Sequence, residues 1–375
     1  MKTLIISMTC GEGHNQIAKG IKAELDNRGE DNKIIQLYGY SEKEVKKQNK
    51  LFLFASKRIP HIYGSIWHRL RKRPVDKPSS IVNGAINQCK DYILKEIQDY
   101  NPDNIICVHT NAGAVVNYLK KQGYLKDIKT YGIVFDYCLC PYWEFSRGLD
   151  YVILPADFMT SEIKERGFKD EQILSFGLPV DPKYTKKLDK IEARKELGLG
   201  EDDFVIVLYS GGNCLSGAYK LIKQLEKCKH NIQIVAICGR NKTEFKKIEK
   251  YIQKKHVNNI RLEGFCTKLD LYYSASDLVF TRGGGMGLTE QINKNIPFVL
   301  REKLIINEDI NKKTFADLGL GLAMDKISQA PKIVEDLINN PDKLNNMSKK
   351  ANEIAKPNST KDLVDFLLMT DKKSN

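Results

Sequence analysis

A two-domain α/β protein is the fold class that this 375-residue chain predicts. Short apolar runs alternate with helical patterns along its length, glycine-marked loops follow four of those runs, and the chain exceeds what one ordinary core supports. The expectation is two Rossmann-like parallel-sheet domains facing one another across a cleft, with ligands at the carboxyl ends of the strands.

The first domain, 1–182, opens on a strand at 3–8, where Leu4, Ile5 and Ile6 form a buried-strand run. A helix at 15–28 and a strand at 33–37 follow. A basic region intervenes before a helix at 91–100, a strand at 104–108, a helix at 112–122 and strands at 130–135 and 151–154. A helix at 158–166 and a short strand at 173–176 lead into Gly177-Leu-Pro-Val-Asp-Pro182, a turn-forming boundary. The second domain, 183–355, repeats the alternation. Helices are expected at 190–197, 215–227, 243–255 and 268–274, and strands at 204–209, 233–238, 260–262, 278–281 and 297–300. A glycine turn at 283–287 precedes a helix opening near Leu288; a helix near 311–317 and a helical tail from Ala330 complete the domain. Residues 356–375 form a terminal helix and polar tail, with a return to the first domain as one course open to them.

Composition narrows the class. The chain is 42% hydrophobic and 29% charged, and no apolar run reaches the roughly 18–20 residues of a membrane span. Its N-terminus enters a strand pattern at once and is too short in apolar length for a signal peptide, so a cytoplasmic protein is expected. Nine scattered cysteines are not a disulfide framework. Cys138-Leu-Cys140 has no second pair or histidines at zinc spacing, and reads as pocket or core thiols.

The net charge is +13, and residues 43–77 carry eleven Lys/Arg against Glu44 and Asp76, nine net charges. Large apolar side chains, among them Phe52, Phe54, Tyr63 and Trp67, are interleaved with them at near-helical spacing. That mixture describes an amphipathic surface lying on an anionic membrane, with Lys57, Arg58, Trp67, Arg69, Arg71, Lys72 and Arg73 as its contacts. A helix pair packed on its own domain with a solvated basic face is the competing reading. No nucleic-acid motif accompanies the charge, so no nucleic-acid partner is expected.

Four loops carry the chemistry: Cys10-Gly-Glu-Gly-His14, Ser210-Gly-Gly-Asn213, Cys238-Gly-Arg-Asn241 and Gly283–Gly287. The chain lacks G-x-x-x-x-G-K-[ST], and Gly11-x-Gly13 is not completed into G-x-G-x-x-G, which disfavours nucleotide hydrolysis and hydride transfer. The strand–turn–helix at Asp277-Leu-Val-Phe-Thr-Arg-Gly-Gly-Gly-Met-Gly-Leu-Thr-Glu290 offers unpaired N–H groups to an anion. Glu290, placed in the first helical turn, suits the vicinal hydroxyls of a ribose better than a bare phosphate. Polar residues at 307–311 could then meet a sugar. The combination points to a nucleotide-sugar site.

Gly11-Glu-Gly-His14, Ile105-Ile-Cys-Val-His109, Phe135-Asp136 with Trp143, Gly177-Leu-Pro-Val-Asp181, Cys238-Gly-Arg-Asn241, Gly264-Phe265 and the segment from Asp277 to Glu290 together resemble glycosyltransferase family 28. Within it they are most similar to the diacylglycerol glycosyltransferase and monogalactosyldiacylglycerol synthase branch. The resemblance runs from about residue 3 to residue 322. It implies a GT-B fold, a UDP-hexose donor held mainly by the C-terminal domain, a membrane lipid acceptor approaching the N-terminal domain, and inverting transfer with no cofactor or obligatory metal. His14 is then the general base or a support for the diphosphate, and Asp136 a base or its orienter. Gly13, Gly212, Asn213, Arg240, Gly284, Gly285 and Thr289 fall around the diphosphate, Phe265 by the base and Glu290 on the ribose. Asn307, Glu308 and Asn311 match the sugar-reading Gln-Glu-x-x-Asn segment. The chain departs from the family at Gly287 (threonine), Ile305-Ile306 (Pro-Gly), Asn307 (glutamine), Phe135 (threonine) and Cys140 (histidine). The expected activity is transfer of glucose or galactose to diacylglycerol at the inner face of the cell membrane. A polyprenyl-linked or other lipid acceptor, or a weakened UDP-sugar sensor, are the alternatives.

Overall fold

The computed structural model describes residues 1–9, 13–39, 65, 67, 69–212, 217–301 and 306–372. They form two compact units, Met1–Asp181 with Lys356–Asn375, and Pro182–Ala355.

The first unit is a six-stranded parallel sheet of β1 (Lys2–Ser7), β2 (Asp31–Gln36), β3 (Asn104–Cys107), β4 (Lys129–Ile133), β5 (Tyr151–Ile153) and β6 (Ile173–Leu174), in the order β2-β1-β3-β4-β5-β6. The central strands are apolar throughout because helices cover both faces. α1 (Gly13–Asn27), α2 (Ser80–Tyr100), α3 (Thr110–Lys121) and α4 (Thr160–Lys164) make the crossovers. α2 begins eleven residues before the expected helix. Ser79 caps it by accepting the Val82 N–H, and its early buried face is built from Val82, Ala85 and Cys89.

The second unit contains α5 (Lys190–Leu197), β7 (Phe204–Tyr209), α6 (Ala218–Leu225), β8 (Ile232–Ile237), α7 (Lys242–Lys255), β9 (Ile260–Glu263), α8 (Leu269–Ala275) and β10 (Leu278–Thr281). α9 (Gly285–Asn293), β11 (Phe298–Leu300), α10 (Ile306–Asp317), β12 (Gly321–Ala323), α11 (Ala330–Asn339) and α12 (Pro341–Ile354) follow. Its parallel sheet runs β12-β11-β10-β7-β8-β9, the Rossmann order read from its other edge. The core joins Ile206, Leu208, Ile234 and Phe280 of the sheet to Leu221, Ile222, Val334 and Leu337 of the helices.

The terminal helix α13 (Ser359–Lys372) belongs to the first unit. Ser359 Oγ donates to the Leu178 carbonyl at 2.7 Å, and Phe366 stands edge-on to Tyr151 and Tyr131.

Two expectations need correction here. α9 starts at Gly285 rather than near Leu288, so Gly285–Gly287 are helical and Glu290 lies in the second turn. The basic region is only partly outward-facing. Trp67 is 6% exposed, Arg71 pairs with Glu162, and Arg73 pairs with the buried Glu144 at 2.5 Å while stacking on Phe145. Arg166 donates to the carbonyls of Arg71 and Arg73. Arg71 and Arg73, satisfied by carboxylates on later elements, bind the segment to its own domain, with Trp67 against the Arg71 guanidinium. Arg69 and Lys72 are exposed. Lys57 and Arg58 lie outside the described residues.

Candidate functional site

Strand order reverses in the first sheet between β1 and β3, and ligands of open α/β sheets bind beyond the carboxyl ends of strands at such points. His14, in the first turn of α1 beside Gly13, and Val108-His109, after β3, stand there. His14 Nδ1 is 2.6 Å from the Val108 carbonyl oxygen. A carbonyl only accepts, so Nδ1 carries the proton and Nε2 keeps its lone pair. Burial lowers the imidazole to about 4, against the opposing pull of the Val108 bond, so the ring is neutral at pH 7.

His109 caps α3 by accepting the Asn111 N–H on Nδ1 at 3.0 Å. Its neutral form therefore carries the proton on Nε2. Burial, then the charge of a protonated His14, pushes it down to about 3. The two rings meet edge to face at 5.0 Å and 70°, and Phe135 covers His14 at 4.2 Å. Two neutral imidazoles of opposite tautomer thus stand together. His109 was in the recognised sequence pattern without a role; a histidine directly after an apolar strand is the signal that could have found it.

Asp136 follows β4, the neighbour of β3, and is 7% exposed. Its carboxylate accepts the Tyr137 N–H at 2.9 Å. Burial, then the Asp136 charge, raises the Cys138 thiol well above its ordinary value, which leaves that cysteine inert.

In the second sheet the reversal lies between β7 and β10. Gly212 follows β7 and the segment Arg282–Gly285 follows β10. Gly239 has φ of +55°, and a Cβ there would sit 2.2 Å from the Gly212 carbonyl oxygen, so the loops after β7 and β8 touch backbone to backbone. Arg240 N–H donates to that same carbonyl at 2.8 Å. The Arg240 guanidinium lies 4.9 Å from the centre of the Phe265 ring, which is 61% exposed. An arginine intended for a diphosphate and a ring intended for a base are therefore stacked on one another. Asn213 is outside the described residues.

The turn before α9 is shaped by Gly283, whose φ is +89° and whose missing Cβ would strike Leu300 at 2.7 Å. Gly284 is the N-cap and offers no side chain, leaving the first N–H groups of α9 for an anion. α10 braces this turn. Arg282 donates to Glu308 Oε2 through Nε and Nη2 at 3.1 and 2.7 Å, and Asn311 Nδ2 donates to the Gly283 carbonyl at 2.8 Å. Two of the three expected sugar readers thus hold the glycine turn in place, while Asn307, half-buried, starts the same helix. The sequence pattern alone assigns Arg282 no role, because its partner lies 26 positions away.

Thr289 Oγ1 donates to the Gly285 carbonyl at 2.8 Å inside the helix. Glu290 is buried, and burial, followed by the Glu290 charge, raises the Tyr273 phenol well above its ordinary value. Arg301, 1% exposed at the end of β11, donates to the Gly217 carbonyl at 3.3 Å. It had no reading from sequence. Arg240, Arg282 and Arg301 all follow carboxyl ends of strands in this one sheet, a cationic edge suited to a nucleoside diphosphate.

Comparisons with known proteins divide along the same line. Residues 14–180 match the model of the monogalactosyldiacylglycerol (MGDG) synthase family, and residues 213–366 that of the glycosyltransferase family 28 C-terminal domain. The chain is 24% identical over 373 residues to a processive diacylglycerol beta-glucosyltransferase of Bacillus pumilus, covering 98% of this chain and 94% of that one. It is 26% identical over 386 residues to monogalactosyldiacylglycerol synthase 3, chloroplastic, of Arabidopsis thaliana, covering 97% and 80%. Among solved structures, MurG of Acinetobacter baumannii aligns with a TM-score of 0.64 at 16% identity, covering 98% and 100%. A UDP-GlcNAc 2-epimerase of Neisseria meningitidis aligns at 0.65 and 14%, covering 98% and 100%. These likenesses establish the GT-B fold.

Proposed function

Because the chain belongs to glycosyltransferase family 28, in its diacylglycerol glycosyltransferase and monogalactosyldiacylglycerol synthase branch, we propose that it transfers a hexose from a UDP-sugar to the free hydroxyl of diacylglycerol. The observation that carries this reading is His14: a neutral imidazole with Nδ1–H fixed on Val108 and an open lone pair on Nε2. That is the form a general base for an alcohol requires.

In the proposed step, the lipid hydroxyl oxygen attacks the anomeric carbon as the bond from that carbon to the diphosphate oxygen breaks. The hydroxyl proton passes to His14 Nε2, and the anomeric centre inverts to a β-glycoside. UDP leaves with the bonding electrons, and the open N–H groups of α9 with the arginines of the second sheet stabilise its charge. Glu290 receives the ribose hydroxyls, and the turn braced by Glu308 and Asn311 meets the sugar. Asp136, too buried to meet bulk water, supports the base side. Arg69 and Lys72, with the basic residues up to position 58, hold the enzyme at an anionic inner membrane face.

The test is UDP release from UDP-glucose and UDP-galactose in the presence of diacylglycerol dispersed in detergent. Acceptor-dependent release with a β-linked glycolipid product is the expected outcome, and release indifferent to diacylglycerol would overturn the reading. His14→Ala is expected to lower kcat by about 10²–10⁴-fold. Near-parental turnover in that variant would remove His14 as the base.

A further inference from the structure

The second unit carries a charge pattern that the donor site does not use. α7 buries Ile248 and Glu244 against its own core, and Glu244 is fixed there by the Tyr219 N–H at 2.8 Å. The opposite face presents Lys242, Lys246, Lys250 and Lys254, one at every fourth position, with Lys247 beside them; all five are exposed. At 1.5 Å of rise per residue, the four form a stripe about 18 Å long.

This arrangement opposes helix stability. Like charges at i,i+4 repel, and Lys242, in the first turn, stands at the positive end of the helix dipole. None of the five lysines forms an ion pair with a described residue. The exposed carboxylate on the helix is Glu249, at the margin of the stripe. α1 balances such positions: Lys22 pairs with Asp26, and Arg28, just past the helix end, with Glu24, each four residues apart. A repeated repulsion with no ion pair among the described residues fits a counter-charge supplied from outside.

We propose that the α7 lysine stripe is a second contact for the anionic surface of a phospholipid bilayer, on the unit opposite in sequence to the basic segment. The inference rests on the reading of a membrane lipid as acceptor. Flexible lysine ammonium groups spaced from Lys242 to Lys254, with polar Thr243 and Gln253 beside them, suit a fluid array of phosphates. The aromatic ring beside the stripe, Tyr251, is taken up by the Tyr219 ring and by Glu226, which disfavours a single-stranded nucleic acid.

The experiment compares three full-length proteins on vesicles of phosphatidylcholine with phosphatidylglycerol. They are the parent, a stripe variant (Lys242→Gln, Lys246→Gln, Lys250→Gln and Lys254→Gln) and a control (Lys121→Gln, Lys126→Gln, Lys332→Gln and Lys349→Gln) that removes the same charge from scattered exposed sites. The stripe variant is expected to partition at least about tenfold more weakly than the parent at low salt, with the control within about twofold. Equal losses in stripe variant and control would reduce the effect to net charge and overturn the proposal, as would parental binding by the stripe variant. Loss of duplex DNA binding with vesicle binding intact would assign the stripe to nucleic acid and overturn it too. The stripe variant should melt at or above the parental Tm, which separates lost binding from lost fold. Turnover on diacylglycerol in uncharged detergent should be unchanged in the stripe variant. If the parent itself shows no turnover there, the functional reading fails while the vesicle comparison still decides the stripe.

Discussion

His14 is held neutral by its surroundings: the Val108 carbonyl fixes Nδ1, Phe135 covers a face, and His109 closes an edge. The titratable groups on the elements packed about it are His109, at the start of α3, and Asp136, next to Phe135. Burial sets its value at about 4, below the ordinary 6.5. The acid limb of kcat/KM should therefore fall near pH 4 rather than near 6.5. Phe135→Thr admits water, moving the value upward and the limb with it by about one pH unit or more. A pH profile superimposable on the parent's would remove Phe135 from this role. Stability follows the same sign. With the folded value depressed, the unfolded chain binds more protons between pH 4 and 6.5, so stability falls as pH drops through that window. Urea midpoints at pH 7 and pH 4.5 check the direction. Gly287 yields a second prediction at this scale. A Cβ there meets nothing within 4 Å, so Gly287→Thr fits and removes a glycine from α9. An unchanged or slightly raised Tm is expected, with a lower KM for the donor from the added hydroxyl. A fall in Tm would show that the space is not there.

The element that organises the proposed donor side is α10, which grips the turn before α9 through Arg282–Glu308 and Asn311–Gly283. The ion pair is largely buried, its side chains 13% and 10% exposed. Glu308→Gln leaves a guanidinium without its carboxylate, which costs roughly 3–5 kcal/mol when such a pair is broken from one side. A lower Tm and a raised donor KM are expected together. Replacing both partners, Arg282→Met with Glu308→Leu, should restore Tm but not KM; recovery of both would make the pair purely structural. This pairing also marks where sequence reading stops. β7, β8 and β10 were legible because Val205–Leu208, Ile234–Ile237 and Leu278–Phe280 are continuous apolar runs, as a doubly covered sheet requires. α9 was placed three residues late because Gly285 and Gly287 have low helix propensity, which tertiary packing overrode. The first half of α2 escaped because Ala85 and Cys89 make a weak apolar stripe. His14, Glu290 and Glu308 could be picked by type and position, but which group each one touches depends on loops distant in sequence. So did the inward turn of Arg71 and Arg73, whose carboxylate partners lie on later elements.

At the scale of the whole molecule, the chain finishes the first unit last. After 174 residues of the second unit, from Pro182 to Ala355, α13 returns to pack on the first. Leu363, Val364 and Leu367 are fully buried, Ser359 and Thr360 donate to the carbonyls of Leu178 and Val180, and Phe366 meets Tyr131, Tyr151 and Phe176. Burying aliphatic side chains of this kind contributes about 1.5–3 kcal/mol each, so three of them rival the roughly 5–15 kcal/mol that holds a typical domain. Gly177, at φ +89°, leaves room for the Lys356 side chain, whose Cβ would lie 2.5 Å from any Cβ placed there. The first unit is therefore incomplete until the end of the chain is made, while the second needs nothing after Ala355. Truncation after residue 355 should remove or sharply lower the melting transition of the first unit and leave that of the second. Calorimetry of the two proteins, with tryptophan fluorescence reporting the first unit through Trp67 and Trp143, makes the comparison. UDP binding to the second unit should survive the truncation, while transfer to diacylglycerol should be lost with His14's setting. A truncated protein whose two transitions both match the parent's would show that α13 is an appendage rather than a structural part of the first unit.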